Sequence, residues 1–162
     1  TRSVGQLLGR ADKAESLITT MMNYIRDTES LRFARRDDPK KTVAVYNENG
    51  LYGAPDTLIQ DMLKYVNVEN AATKAGVKWS YMGKKDDLIK VDPDVIIVPT
   101  DVKAPGFNRD AVLNSYYNDP ALKNVKAIKN KKVVIISNEA MMAKTYHIGR
   151  GIYNMAQFVY ER

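Results

Sequence analysis

The chain of 162 residues has no cysteine and a single histidine, His147. Without thiols there is no disulfide framework and no thiolate metal site, and one histidine cannot close a zinc site of the usual kind. No metal site or resident cofactor is therefore expected, and redox compartment leaves no mark on the sequence. No apolar run approaches the roughly 18 residues needed to cross a bilayer. An initiator methionine, a basic leader and an apolar leader core are also missing, for the chain opens on Thr1 and enters helical periodicity within a few residues. This opening reads as a piece of a longer chain and leaves the compartment undetermined. No Gly-x-Ser-x-Gly elbow exists, so the nucleophile of an α/β hydrolase is absent. Gly149-Arg150-Gly151 lacks both the lysine and the glycine spacing of a phosphate loop or dinucleotide fingerprint.

What is present fits one domain, with 44% hydrophobic and 27% charged residues, as in a soluble globular protein. The formal charge of +6 admits an anionic partner. However, Lys40-Lys41, Lys84-Lys85 and Lys129 with Lys131-Lys132 stand at element boundaries mixed with acids, not along one helix face. That placement favours a solvated basic surface over nucleic-acid binding.

Asp92-Pro93-Asp94-Val95-Ile96-Ile97-Val98-Pro99-Thr100-Asp101 organises the chain. Val95 to Val98 show no polar alternation, so both faces are expected to be buried, as in the central strand of a parallel sheet, with the two prolines setting where pairing starts and stops. Val4, Leu7, Leu8, Ala11, Ala14, Ile18, Met21, Met22 and Ile25 recur at helical spacing and predict one long amphipathic helix, extending towards Ala34 and ended by Arg35 to Pro39. Further strands are expected at Thr42–Tyr46 and Lys132–Ile136, with a short extended piece at Lys78–Tyr81. Helices are expected from Pro55 to Val66, Asp86 to Lys90, Ala111 to Tyr117 with Asn108 as cap, and Ile148 to Val159. Alternation of strands and helices implies an α/β fold, a three-layer lobe with a mostly parallel sheet, whose ligands bind beyond the carboxyl ends of the strands.

That edge collects the candidate site residues. Tyr46, Tyr52, Tyr116, Tyr117 and Tyr146 suit a cleft for a planar or catecholic ligand. Lys103 and Arg109 follow the central strand and could neutralise an anion. Glu48, Asp101 and Glu139 stand near strand ends, with nothing in the sequence to join them as an acid and base pair. His147 follows Tyr146 in the loop after the last strand.

Four segments together resemble the carboxy-terminal lobe of the substrate-binding proteins that serve iron-siderophore, haem and cobalamin ABC importers. They are Leu7-Leu8-Gly9 with Ala14-Glu15 and Leu17-Ile18; Ala44-Val45-Tyr46 with its glycine-bearing loop and the helix to Glu69-Asn70; Leu88-Ile89 leading to Asp92 through Ile97; and Pro120, Leu122, Ala127, Ile128, Lys129, Lys132 and Val133. The resemblance implies that residues 1–36 are a long helix leading from an absent amino-terminal lobe and that 37–162 form the ligand-binding lobe. It further implies a monomeric, extracytoplasmic, non-enzymatic protein, periplasmic or anchored as a lipoprotein, that delivers a ferric siderophore or related iron complex to a permease. Haem and cobalamin are the alternative ligands, and an α/β enzyme with an unrecognised site is the rival of another class. Ligand contacts would fall on Asn47, Asn49, Tyr52, Thr100, Lys103, Arg109, Met141, Tyr146 and His147. For haem, Tyr146 or His147 would be the axial ligand, with Met141 and Met142 as walls. The family's permease-docking glutamate aligns with Lys64, with Asp61 nearby. Its glycine pair after that helix is Asn67-Val68, so the turn must be made differently.

Overall fold

The computed structural model describes residues 1–79, 84–142 and 145–160. In chain order the elements are α1 (Arg2–Leu7), α2 (Ala11–Ala34), β1 (Thr42–Asn47), β2 (Gly50–Tyr52), α3 (Leu58–Val66), β3 (Glu69–Asn70), α4 (Ala71–Lys74), α5 (Lys85–Val91), β4 (Val95–Thr100), α6 (Arg109–Tyr117), α7 (Lys126–Lys129), β5 (Val133–Ser137), α8 (Asn138–Met141) and α9 (Ile148–Tyr160). The strands form one sheet in the order β2-β1-β4-β5, and β3 pairs with the first residues of β1. All pairings are parallel except the β1–β2 hairpin.

Alternate residues of the buried strands feed two cores, one on each face. Ala44, Tyr46, Ile96, Val98, Val133 and Ile135 point to the side covered by α4, α5, α6 and α7. Val43, Val45, Val95, Ile97 and Ile136 point to the side covered by α3 and α9, with Ile25 and Leu31 of α2 packed against that layer. The period of two is masked in the sequence because both faces are apolar. Each fully buried aliphatic side chain stabilises by about 1.5–3 kcal/mol, so these strands carry much of the fold.

The first helix differs from expectation. The periodic stretch is broken at Leu8 to Arg10, where Gly9 takes φ +63 and the Gly9 and Arg10 N–H groups donate to the Gln6 and Gly5 carbonyls at 3.1 and 2.7 Å. This is a Schellman stop. It turns α1 against α2, so that a Cβ on Gly5 would lie 2.4 Å from that of Ala14, and the Arg2 guanidinium meets Glu15 at 2.6 Å. After α3 the expected departure from a glycine pair is resolved by Asn67, which adopts φ 64 as the Val68 N–H reaches the Leu63 carbonyl. Asparagine tolerates this left-handed position better than other non-glycine residues. The piece expected at Lys78–Tyr81 extends into residues 80–83, outside the described part, and Lys78 and Trp79 form no strand.

Close approaches at glycine bind α9 to its neighbours. A Cβ on Gly149 would sit 2.9 Å from the Met21 carbonyl oxygen of α2, and one on Gly151 only 2.0 Å from the Ala140 carbonyl oxygen of α8. Gly151→Ala must push α9 from α8 and is expected to cost about 1–3 kcal/mol, read as a lower urea midpoint at unchanged slope. An unaltered midpoint would show that the two helices do not pack this closely.

Candidate ligand cleft

The parallel strands run β1, then β3 on one side of it, then β4 and β5 on the other, so the chain reverses its winding between β1 and β4. An open α/β sheet has its natural crevice at that switch point. The ladder shows how the crevice opens. β1 and β4 pair only through Val45 and Ile97, whereas β4 and β5 remain paired through Thr100 and Ser137. β1 instead turns to its hairpin partner, with Asn47 opposite Gly50. Because the Ile96 N–H donates towards β5, the backbone nitrogen of Pro99 faces β1, where no ladder remains to need a donor. Pro99 thus lies within β4 and ends its pairing on the β1 side only, a refinement of the boundary role expected for it.

Asn47 holds the parted strands. Its side-chain amide donates to the Pro99 carbonyl at 3.4 Å, while its Oδ1 accepts the Asn49 N–H at 2.9 Å and the Tyr52 hydroxyl at 3.1 Å. The amide is buried, so these bonds offset the desolvation that an unpaired group would suffer. One side chain therefore fixes β1, the hairpin turn and the end of β4.

The resulting cavity of about 590 Å³ is lined by the carboxyl ends of β1 and β4, the hairpin, the start of α5, the end of α6 and Asn138 after β5. Tyr46 and Tyr116 form its aromatic wall, edge to face with centroids 6.3 Å apart, and the Tyr116 hydroxyl donates to the Tyr46 carbonyl at 3.3 Å. Burial, more than any neighbouring charge, raises both phenol pKa values, so both remain neutral donors. At the rim the Lys85 ammonium lies 2.6 Å from the Asp119 carboxylate. That hydrogen bond raises the lysine, while the same bond followed by the Ala121 N–H holds Asp119 below the usual aspartate range.

Four of the nine expected contact residues, Asn47, Asn49, Tyr52 and Thr100, line this cavity. Lys103 does not; its ammonium pairs with Glu139 at 2.9 Å. Arg109 stands exposed in the first turn of α6, also outside the lining. His147 Nε2 lies 3.4 Å from Glu139, and its ring rests on Tyr146 with centroids 4.1 Å apart. Met141 is corrected outright. The loop expected from Glu139 onwards begins as α8, capped by the Ser137 hydroxyl, and this turn buries Met141 completely in the core beneath α9. Asp61 and Lys64 pair at 3.6 Å on the exposed side of α3, apart from the cleft. Residues 143 and 144 lie outside the described part.

Lys103 and Arg109, the cations expected to neutralise an anion, thus both stand outside the lining. Among the described residues, Glu48, Asp101 and Asp119 line the cavity against one ammonium, Lys85. No spacing rule could have found Lys85 with Asp119, since two separate helix ends bring them together. Among the described residues no group of three or more metal-binding side chains of the His, Cys, Asp or Glu types is present.

Residues 1–140 match the family model described as periplasmic binding protein, and the chain belongs to that family. No curated protein matches it. Among solved structures it resembles a periplasmic binding protein from Veillonella parvula DSM 2008, at 18% identity and a TM-score of 0.77, covering 98% of this chain and 48% of that one. It also resembles the periplasmic haem-binding protein RhuT from Roseiflexus sp. RS-1, at 19% identity and 0.73, covering 99% and 60%. A third likeness is to an ABC-type Fe3+-hydroxamate transport system protein from Saccharomonospora viridis DSM 43017, at 17% and 0.72, covering 99% and 53%. The chain thus spans about half the length of these structures. Its one α/β lobe, led by a long helix, is consistent with the carboxy-terminal lobe of such a protein.

Because folding lowers the Asp119 pKa, the Lys85 pair contributes fully above the unfolded aspartate value near 4 and is lost as pH falls through the lower folded value. A carboxyl NMR titration is expected to place the Asp119 midpoint below about 3.9, and Lys85→Met to return it towards that value. A wild-type midpoint at or above it would mean that the pair is not formed.

Proposed function

We propose that this chain is the ligand-facing lobe of the extracytoplasmic substrate-binding component of an ABC importer. A second, amino-terminal lobe supplies the other wall, and the ligand is a ferric siderophore or related iron complex. The single observation that carries this reading is the cleft at the switch point between β1 and β4, walled by Tyr46 and Tyr116 and held by Asn47. Such a wall suits binding by apolar contact and neutral hydrogen bonds, which supports a reading of capture and release.

The acids of the lining favour one siderophore class over another. Trianionic catecholate complexes would be repelled by Glu48, Asp101 and Asp119, whereas an uncharged hydroxamate-type chelate offers carbonyl and amide groups to the tyrosine and asparagine donors. Delivery would bring the exposed side of α3, with Asp61 and Lys64, to the permease. The protein acts as a monomer outside the cytoplasm, periplasmic or lipid-anchored at the cell surface. Haem is the second reading, favoured by the Tyr146–His147 stack at the same sheet edge.

The test is titration of the two-lobed protein with ferric hydroxamates, ferric catecholates, haem and cobalamin, followed by tyrosine fluorescence and the visible spectrum. Saturable quenching by a ferric hydroxamate, weakened at least tenfold by Tyr116→Ala, is the expected result. A Soret shift abolished by His147→Ala would move the ligand to haem. Binding of none of the four would overturn the proposal.

A further inference from the structure

At the opposite edge of the sheet, where the parallel strands begin, the fold gathers cations that lie far apart in the chain. Lys40 and Lys41 precede β1 and Lys131 and Lys132 precede β5, and three of them, Lys40, Lys41 and Lys132, line one cavity of about 380 Å³ with Asp38 and Asp94. Both carboxylates are engaged locally. Asp94 accepts the Thr42 N–H at 2.8 Å, and Asp38 lies 3.8 Å from the Arg35 guanidinium. Lys41 donates to the Val159 carbonyl at 2.5 Å, and burial, followed by the charge of Lys132, lowers its pKa. Lys132 rests over the Phe158 ring at 5.5 Å. Among the described residues, Lys40, Lys131 and Lys132 have no ion-pair partner. Lys40 acts only at longer range on Glu69, whose carboxylate pairs with Lys74 at 2.6 Å, so among the described residues the edge carries cations without a close counter-charge.

A second feature adjoins it. Phe33, in the last turn of α2, is 69% exposed, and the Arg36 guanidinium lies over its ring at 4.5 Å. The same chain end continues through Arg35, whose charge acts on Lys41. An exposed aromatic ring on the segment that leads into lysines on flexible stems is the composition of an interfacial surface. Recognition of nucleic acid favours arginine forks, whereas the arginines at this end, Arg35 and Arg36, lie 3.8 and 3.7 Å from Asp38 and Asp37, and the cations without an ion-pair partner are lysines.

We propose that this edge docks on a bilayer carrying anionic phospholipids, with Lys40, Lys131 and Lys132 meeting headgroup phosphates and Phe33 entering the interface. The six residues of β4 separate this edge from the cleft by about 20 Å, so a docked lobe keeps its cleft free. The inference does not rest on the identity of the cleft's ligand.

The experiment is co-sedimentation of the 162-residue chain with vesicles of phosphatidylcholine alone and of phosphatidylcholine with phosphatidylglycerol, at low and high salt. Binding to the anionic vesicles only, falling with salt, is expected. Each lysine near such a surface contributes about fivefold, so Lys40→Glu with Lys132→Glu should weaken binding by roughly 25-fold or more. Phe33→Ala should weaken it severalfold. Arg10→Glu with Lys13→Glu, at the far end of α2, makes the same change in net charge and should leave most of the binding; thermal unfolding checks that each variant is folded. Equal loss in both charge-reversed pairs would reduce the effect to net charge and overturn the proposal. So would absence of vesicle binding, or binding to duplex DNA in place of vesicles.

Discussion

The parting of β4 from β1 after Ile97 is the constraint on which the rest of the lobe depends. A strand paired on both sides along its full length would leave no crevice, and a strand released on both sides would leave no rigid wall. Here pairing with β5 continues to Thr100 while pairing with β1 stops three residues earlier, at Ile97, and Pro99 makes the asymmetry inexpensive because its missing N–H faces the side with no ladder. The Asn47 amide then replaces the lost backbone bond with a side-chain bond to the Pro99 carbonyl. The opening is thus fixed by covalent chemistry and one buried amide, not by a mobile loop.

Once the crevice is placed, its chemistry follows from what ends there. Three of the parallel strands bring polar or acidic residues to the cavity at their carboxyl ends: Asn47 and Glu48 at the end of β1, Thr100 and Asp101 at the end of β4, and Asn138 after β5. The tyrosines at 46 and 116 come from inside the apolar layer, which is why burial dominates their electrostatics and keeps them as neutral donors. The side chains that looked available to a ligand in the linear chain, Lys103 and His147, are turned to Glu139 instead.

The buried strands were legible in the sequence because an unbroken run such as Val95 to Val98 has few explanations other than burial on both faces. The cap at Asn108 and the extent of α6 were readable for a similar reason: the signal is local, with the Asn108 side chain accepting the Ala111 N–H at 2.9 Å. What failed was non-local. Helical periodicity ran through Gly9 without regard to its left-handed stop, and Met141 looked like loop because nothing nearby reveals that Ser137 caps a turn beneath α9. Lys85 with Asp119, 34 positions apart, belongs to the same class. Strand-end residues were found by topology, whereas their partners required packing.

The polarity of a parallel sheet explains why the charges divide as they do. Every parallel strand runs from the same edge to the same edge, so whatever precedes these strands accumulates at one end and whatever follows accumulates at the other. Lysines precede β1 and β5, acids follow β1 and β4, and a chain whose basic residues look dispersed becomes a lobe with a cationic base and an acidic mouth. With a formal charge of +6, the whole molecule would be called a binder of anions, yet among the described residues its cleft is lined by more carboxylates than ammonium groups. At physiological salt, charges more than about 8 Å apart are largely screened, so a ligand in the mouth responds to the local carboxylates and not to lysines about 20 Å away. Net charge and site charge are thus separate properties of this fold, and the direction of the strands sets them apart.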